Sequence, residues 1–206
     1  NAMEARRVEK NVKLSVRQLV EFVLRGGSID NRSGGMDRAQ EGSRIHRRIQ
    51  KAGGEHYQAE VFFRHTQEYE GIAFTIEGRA DGIITQEETA AVDEIKTTHL
   101  DLAAIEEDYT RLHWAQAMCY AYFYALQNDR ERMDVQLTYV HVSEFGDPDG
   151  TKRFTRTFTA EELAAAYEDL LARYKKWADF SREWAEKRYA SIAALPFPFP
   201  SYRRGH

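Results

Sequence analysis

The chain has 206 residues, with 33 acidic against 29 basic side chains, a formal net charge of −4, and 42% hydrophobic and 30% charged residues. This is long enough for one domain with a full core and too short for two comfortable ones, and the composition is that of a soluble globular protein. No apolar run reaches the length of a membrane span, and the charge balance argues against a generic nucleic-acid coat while leaving room for a local basic groove around an acidic site. The single cysteine, Cys119, cannot form an internal disulfide and fits a reduced, cytoplasmic compartment. Asn1-Ala2 ahead of Met3 reads as a tag remnant, and no signal-peptide apolar stretch follows it.

Asn11 to Leu14 reads as a short extended piece, and Ser15 as the N-cap of a helix whose apolar positions are Val16, Leu19, Val20, Val23 and Leu24, closed by Gly26-Gly27. Ser28 to Gly35 has loop composition. A second helix is expected from about Asp37 to Ala52. There Ile45 and Ile49 form an apolar stripe, Gly42 and His46 lie on one adjoining line, and Arg44, Arg47 and Arg48 surround the histidine. On residue type alone His46 fits a histidine beside the core as well as it fits a ligand. The arginines fit either a solvated face or phosphate contacts. Tyr57 to Tyr69 and Ile72 to Thr85 alternate and are joined by Glu70-Gly71 as a hairpin.

A polar turn at Gln86–Thr89 then leads into Ala91 to Thr98, giving three consecutive antiparallel strands. On the third, Glu94 and Lys96 share one side and Ile95 is on the other. Asp81, late on the preceding strand, lies across from Glu94 in one of the registers open to the pair. Two carboxylates held together repel unless a cation sits between them. A divalent ion such as Mg²⁺ or Mn²⁺ resolves that conflict, and can activate water and stabilise charge on a phosphoryl oxygen. The same triplet also fits an exposed hairpin with solvated charges.

Beyond it, a helix is expected over Tyr109 to Asn128, with Leu112, Ala115, Cys119, Phe123 and Leu126 facing the core and Gln116 and Tyr120 projecting together. Val135 to Val142 and Lys152 to Phe158 add two strands across the turn Gly146–Gly150. Thr159-Ala160-Glu161-Glu162 is a capping box opening a long helix with Leu163, Tyr167, Leu170, Tyr174 and Trp177 at core spacing. The fold class is thus α/β, a mixed central sheet of about five strands flanked by helices on both faces. The expected domain spans residues 1–194, and the Pro-rich tail 195–206 is a linker or the start of a following domain. No Gly-rich phosphate loop occurs, so no nucleotide site is expected within the chain.

Asp81 followed thirteen residues later by Glu94-Ile95-Lys96, within the strings Gly-Arg-Ala-Asp-Gly-Ile and Val-Asp-Glu-Ile-Lys-Thr, resembles the active-site signature of the PD-(D/E)XK nuclease superfamily, and in particular its RecB-type branch. His46 upstream and Gln116 with Tyr120 downstream stand where that branch has its further motifs, and Ala80 replaces the Pro of the family name. The resemblance implies a restriction-endonuclease-like fold and Mg²⁺- or Mn²⁺-dependent hydrolysis of DNA, on single strands or ends, exonucleolytic rather than endonucleolytic.

It implies Asp81, Glu94 and Lys96 as catalytic residues, with His46 and the Ile95 carbonyl as further metal ligands. Gln116 would contact the DNA strand, and Tyr120 would stack on a base. Glu60 stands where several relatives have another acidic residue, although an exposed strand glutamate explains it equally. Some RecB-type nucleases carry a four-cysteine iron–sulfur cluster, which one cysteine cannot supply. The tail Phe197-Pro198-Phe199-Pro200-Ser201-Tyr202-Arg203-Arg204-Gly205-His206 resembles the segment ahead of the ATPase core in DinG/XPD-type helicases, which implies a helicase-nuclease of DNA repair or recombination. The alternative is a catalytically inactive nuclease fold serving as a DNA-binding or coupling module.

Overall fold

The computed structural model describes residues 10–24 and 36–194. The expected Gly26-Gly27 helix stop, the whole loop Ser28–Gly35, Asn1-Ala2 and the tail 195–206 lie outside the described residues. In chain order the elements are β1 (Lys10–Ser15), α1 (Val16–Leu24), α2 (Met36–Ala52), β2 (Tyr57–Tyr69), β3 (Ile72–Gln86) and β4 (Thr89–Thr98). A 3-10 turn (Leu102–Ala104), α3 (Arg111–Asn128), β5 (Arg132–Val142), β6 (Pro148–Thr159) and α4 (Ala160–Ala194) follow. No described helix is long and apolar enough to cross a membrane.

Helix ends follow the local chemistry. Ser15 Oγ accepts from the Gln18 amide at 3.0 Å while Gln18 Oε1 accepts from the Ser15 amide at 2.9 Å, closing α1 with a reciprocal box. The box expected at the start of α4 forms likewise between Thr159 and Glu162. Thr110 caps α3, and Asp129 ends it in the left-handed region at φ 51°.

The sheet is mixed and has six strands rather than about five. The additional strand is β1, which runs parallel to the first half of β3, from Lys10 beside Ile72 to Ser15 beside Glu77. β2 accompanies β3 antiparallel along one side for most of its length. On the other side β1 covers Ile72–Glu77 and β4 covers Gly82–Gln86. Gly78, Arg79, Ala80 and Asp81 are thus left without a strand partner on that side. β4 continues past this gap, parallel to β5, and β6 closes the sheet antiparallel to β5.

The main core lies between the sheet and α1, α3 and α4, with Phe63, Phe74, Ile76, Val92, Leu137, Phe123 and Tyr167 fully buried. α3 is buried on nearly every side, as a helix with little amphipathic contrast must be. Its end is the exception: Leu126, expected in the core, is 52% exposed. A smaller cluster of Ile45, Ile95, Val140 and Val142 seats α2 on the opposite face. In α4, Leu163, Tyr167 and Leu170 are buried, whereas Trp177 meets Phe22 edge-on and the Tyr174 ring and is 43% exposed. Buried layers therefore clamp the gap from both faces.

Gly78 is required by this packing. A Cβ there would stand 2.6 Å from the Tyr120 hydroxyl oxygen and 3.2 Å from the nearest ring carbon. Gly78→Ala is expected to destabilise the fold by about 1–3 kcal/mol, the usual cost of overpacking a filled site. Tyr120→Phe, which removes the closest atom, should recover part of that loss in urea denaturation. A single mutant as stable as wild type would contradict this contact.

Candidate active site

The gap in the sheet gathers the predicted side chains. Where the β3–β4 ladder stops at the pair Gly82 and Asp93, the Asp81 carboxylate takes over, its Oδ2 accepting from the Ile95 amide at 2.7 Å. A strand residue points its N–H and C=O to the same side, so the Ile95 carbonyl opens onto the same gap. β3 also changes face here. A Cβ on Gly78 would meet Tyr120 of α3, whereas one on Gly82 would meet Tyr57. The Asp81 side chain reaches the α2 side, where its Oδ1 stands 3.3 Å from His46 Nδ1.

Glu94 and Lys96 share the α3 side of β4. Lys96 Nζ is 2.8 Å from Glu94 Oε1 and donates to Gln116 Oε1 at 3.3 Å. The Glu94 side chain is 3% exposed, against 16% for Asp81 and about a quarter for His46 and Lys96. Its second oxygen, Oε2, is buried and has no hydrogen-bond partner. Burial pushes the Glu94 carboxyl up to about 7, against the lowering by Lys96 and with a further push from Asp81. Burial lowers the His46 imidazole, but the hydrogen bond and charge of Asp81 outweigh it and hold the ring above its ordinary value.

Among the described residues, no three His, Cys, Asp or Glu side chains stand together at coordination spacing. The gap instead holds two ion pairs, His46 with Asp81 and Lys96 with Glu94 Oε1. The donor set nonetheless fits a hard divalent ion: two carboxylates, an open main-chain carbonyl, an imidazole at the rim, and the orphaned Oε2. A buried acceptor left unmade costs about 1–3 kcal/mol, more when charged, and a cation in the gap would remove that cost.

Several expectations are corrected. Tyr120 is only 3% exposed and packs against Phe63, so its ring is core and offers no open face for a base to stack on. Its hydroxyl instead points at the position of Gly78. Gly42, on the His46 line of α2, has ordinary space around it: a Cβ there would meet Thr97 Oγ1 at 3.8 Å. Of the arginines around His46, Arg44 donates to the Gly146 carbonyl at 2.6 Å and so ties α2 to the β5–β6 turn. Arg47 and Arg48 are exposed. Glu60 sits opposite Asp81, bracketed by the pairs Ala59 with Gly82 and Val61 with Ala80, in the left-handed region at φ 55°.

The sequence reading passed over two supports of the site. Gln50 is buried and donates both to Glu60 Oε1 at 2.8 Å and to the Asp81 carbonyl at 2.9 Å, pinning β3 from α2. Its signal was present: Gly42, His46 and Gln50 follow one another at four-residue intervals and lie on one helix line. The other is Asp93, 1% exposed on the face opposite Glu94. It accepts from Tyr57 at 2.8 Å, Thr138 at 2.5 Å and Gln136 at 3.1 Å, which fixes β4 to β2 and β5 immediately before Glu94. The Tyr57 hydroxyl is raised by burial and by Asp93, so it stays protonated as a donor.

A carboxyl raised in the fold holds its proton more tightly there than in the unfolded chain. The Glu94 contribution to stability is therefore full below about pH 4.5 and is lost as pH rises through about 7. His46, also raised, acts in the same direction, its contribution being lost as pH rises through its folded value. In chelator, thermal melts of the wild type from pH 5 to 8 should show declining stability. Glu94→Gln should remove up to about 3 kcal/mol of that decline, at about 1.4 kcal/mol per pKa unit. An equal pH dependence in both proteins would contradict the burial of this carboxylate.

The sequence profile of the PD-(D/E)XK nuclease superfamily matches residues 6–203. Among solved structures, the chain is similar to SSO0001, at 20% identity and a TM-score of 0.51 over 78% of this chain and 75% of that one. It is also similar to an alkaline exonuclease (LHK-Exo) from Laribacter hongkongensis, at 14% identity and a TM-score of 0.45 over 87% and 94% of the two chains. A phage-related exonuclease from Haemophilus somnus gives 14% identity and a TM-score of 0.45 over 82% of each. No curated protein matches. At such identities the likeness to SSO0001 is one of fold. The profile match covers nearly the whole chain, including the gap with Asp81 and Glu94-Ile95-Lys96, and the chain belongs to the PD-(D/E)XK nuclease superfamily.

Proposed function

We propose that the protein is a divalent-metal-dependent deoxyribonuclease of the RecB-type branch that hydrolyses phosphodiester bonds in single strands or at ends, exonucleolytically. The observation that carries this reading is the convergence of Asp81, Glu94 and Lys96 on one gap in the sheet, with the buried Glu94 Oε2 unpartnered. When bound between the two carboxylates, with the Ile95 carbonyl and His46 alongside, Mg²⁺ or Mn²⁺ supplies Lewis-acid charge to the scissile phosphate.

The chain's own groups do the rest. Asp81 is fixed by the Ile95 amide, so its carboxylate keeps its place without reorganisation. The Lys96 ammonium, held by Glu94 and Gln116, is aimed at the space beside the carboxylates. There it orients the attacking water and offsets the negative charge that develops on phosphorus oxygens as the new P–O bond forms and the old one breaks. The Gln116 amide keeps donors free for phosphate or sugar, because its oxygen is committed to Lys96. The helicase context rests on the tail resemblance alone, and a cytoplasmic, reduced setting on the single Cys119.

The test is cleavage of an end-labelled single strand in Mn²⁺, Mg²⁺ or EDTA. Cleavage should require the metal, and Lys96→Ala and Glu94→Ala should each cost about a hundredfold or more, the scale of losing one transition-state group. They should differ in Mn²⁺ binding, which falls in Glu94→Ala and persists in Lys96→Ala because an ammonium is no ligand. Undiminished cleavage in EDTA, or equal loss of Mn²⁺ affinity in both variants, would overturn the reading.

A further inference from the structure

Among the described residues, no helix covers the α2-side face of the sheet at Phe62, Arg64 and Arg79, which are exposed. Phe62, Arg64, Thr66 and Glu68 all point into solvent there, because their neighbours Phe63 and His65 turn toward the main core. Phe62 is half exposed and stands directly across from Arg79. Two guanidinium groups approach its ring, Arg64 at 5.8 Å and Arg79 at 6.0 Å from the centroid. In the next row Glu77 takes both Arg64, at 2.9 Å, and Lys13, at 3.3 Å. Arg79 makes no ion pair among the described residues, so a cation without a carboxylate partner stands over the Phe62 ring in a chain whose net charge is −4.

Its position is the second observation. Arg79 lies two residues before Asp81 on β3, hence on the same face and about 7 Å along the strand. The face that presents Asp81 to His46 therefore continues directly into the Arg79–Phe62 pair, with Glu60 and Gln50 between them and α2. An exposed ring beside cations, next to a site that acts on phosphodiesters, matches the chemistry of single-stranded nucleic acid, which needs a stacking surface for each base and a cation for each phosphate. The buried Tyr120 cannot supply that surface.

We propose that Phe62 and Arg79 form a subsite for the nucleotide neighbouring the scissile phosphate, the base stacking on Phe62 and its phosphate meeting Arg79, with Arg64 steadying the ring. This rests on the nuclease reading above and adds to it the path of the strand along β2 and β3. Duplex stems would gain little here, since their bases are already stacked.

The test is binding of a short labelled oligothymidylate in EDTA, where no cleavage intervenes, alongside cleavage in Mn²⁺. Phe62→Ala and Arg79→Gln should each weaken binding about tenfold and raise KM for the single strand, and thermal melts should match the wild type because both side chains are exposed. Phe62→Trp should restore binding, and its added fluorescence over the wild type should be quenched when the strand binds. Affinities equal to wild type in both loss variants, or an unquenched Phe62→Trp, would overturn the subsite even where the wild type cleaves. A wild type that neither binds nor cleaves the strand would overturn the nuclease reading and the subsite together.

Discussion

The site depends on a missing stretch of ladder. β1 and β4 lie end to end along one side of β3 and do not meet, so four residues of a central strand, Gly78 to Asp81, have no partner there. In water-exposed sheet edges solvent would satisfy those groups, but here helices pack on both faces. The Asp81 carboxylate substitutes for main-chain pairing by accepting from the Ile95 amide, and that bond ties β3 to β4 across the gap. Without the gap, Glu94 and Lys96 would face only protein.

Around this opening the supports are polar and buried. Asp93 takes three donors from β2 and β5, and Gln50 bridges Glu60 and the Asp81 carbonyl. Such networks stabilise only when fully satisfied, and these are. Glu94 is the exception, with one oxygen paired to Lys96 and the other unpartnered. The fold thus keeps one unsatisfied carboxylate oxygen beside an otherwise completed framework, a place where a ligand, and not the chain, completes the electrostatics.

Much of this was legible before any coordinates. Period-2 alternation marked β2 to β6, and the same alternation put Glu94 and Lys96 on one side with Ile95 on the other. The N-cap at Ser15 and the box at Thr159 were readable because they involve neighbours three residues apart. Pairing over long sequence separation was not. Nothing in Lys10–Ser15 says that it runs parallel to β3, and the gap follows from that pairing. Tyr120 was misjudged for a related reason: helical spacing assigns it a side of α3, but its burial is decided by the absence of a side chain at Gly78. Gly42 shows the converse, a glycine with ordinary space around it. Leu126 continued the apolar spacing of α3 but is 52% exposed, a difference in cover that spacing alone does not register.

The central claim is that the gap between β3 and β4 is built for a divalent cation. Anomalous diffraction from crystals equilibrated with Mn²⁺ tests it most directly. The account predicts one dominant peak in the gap, touching the Asp81 and Glu94 carboxylates and the Ile95 carbonyl, with Glu94 Oε2 among its ligands and the Glu94–Lys96 contact loosened. At saturating Mn²⁺, a gap without a peak and with both carboxylates unmoved would contradict it.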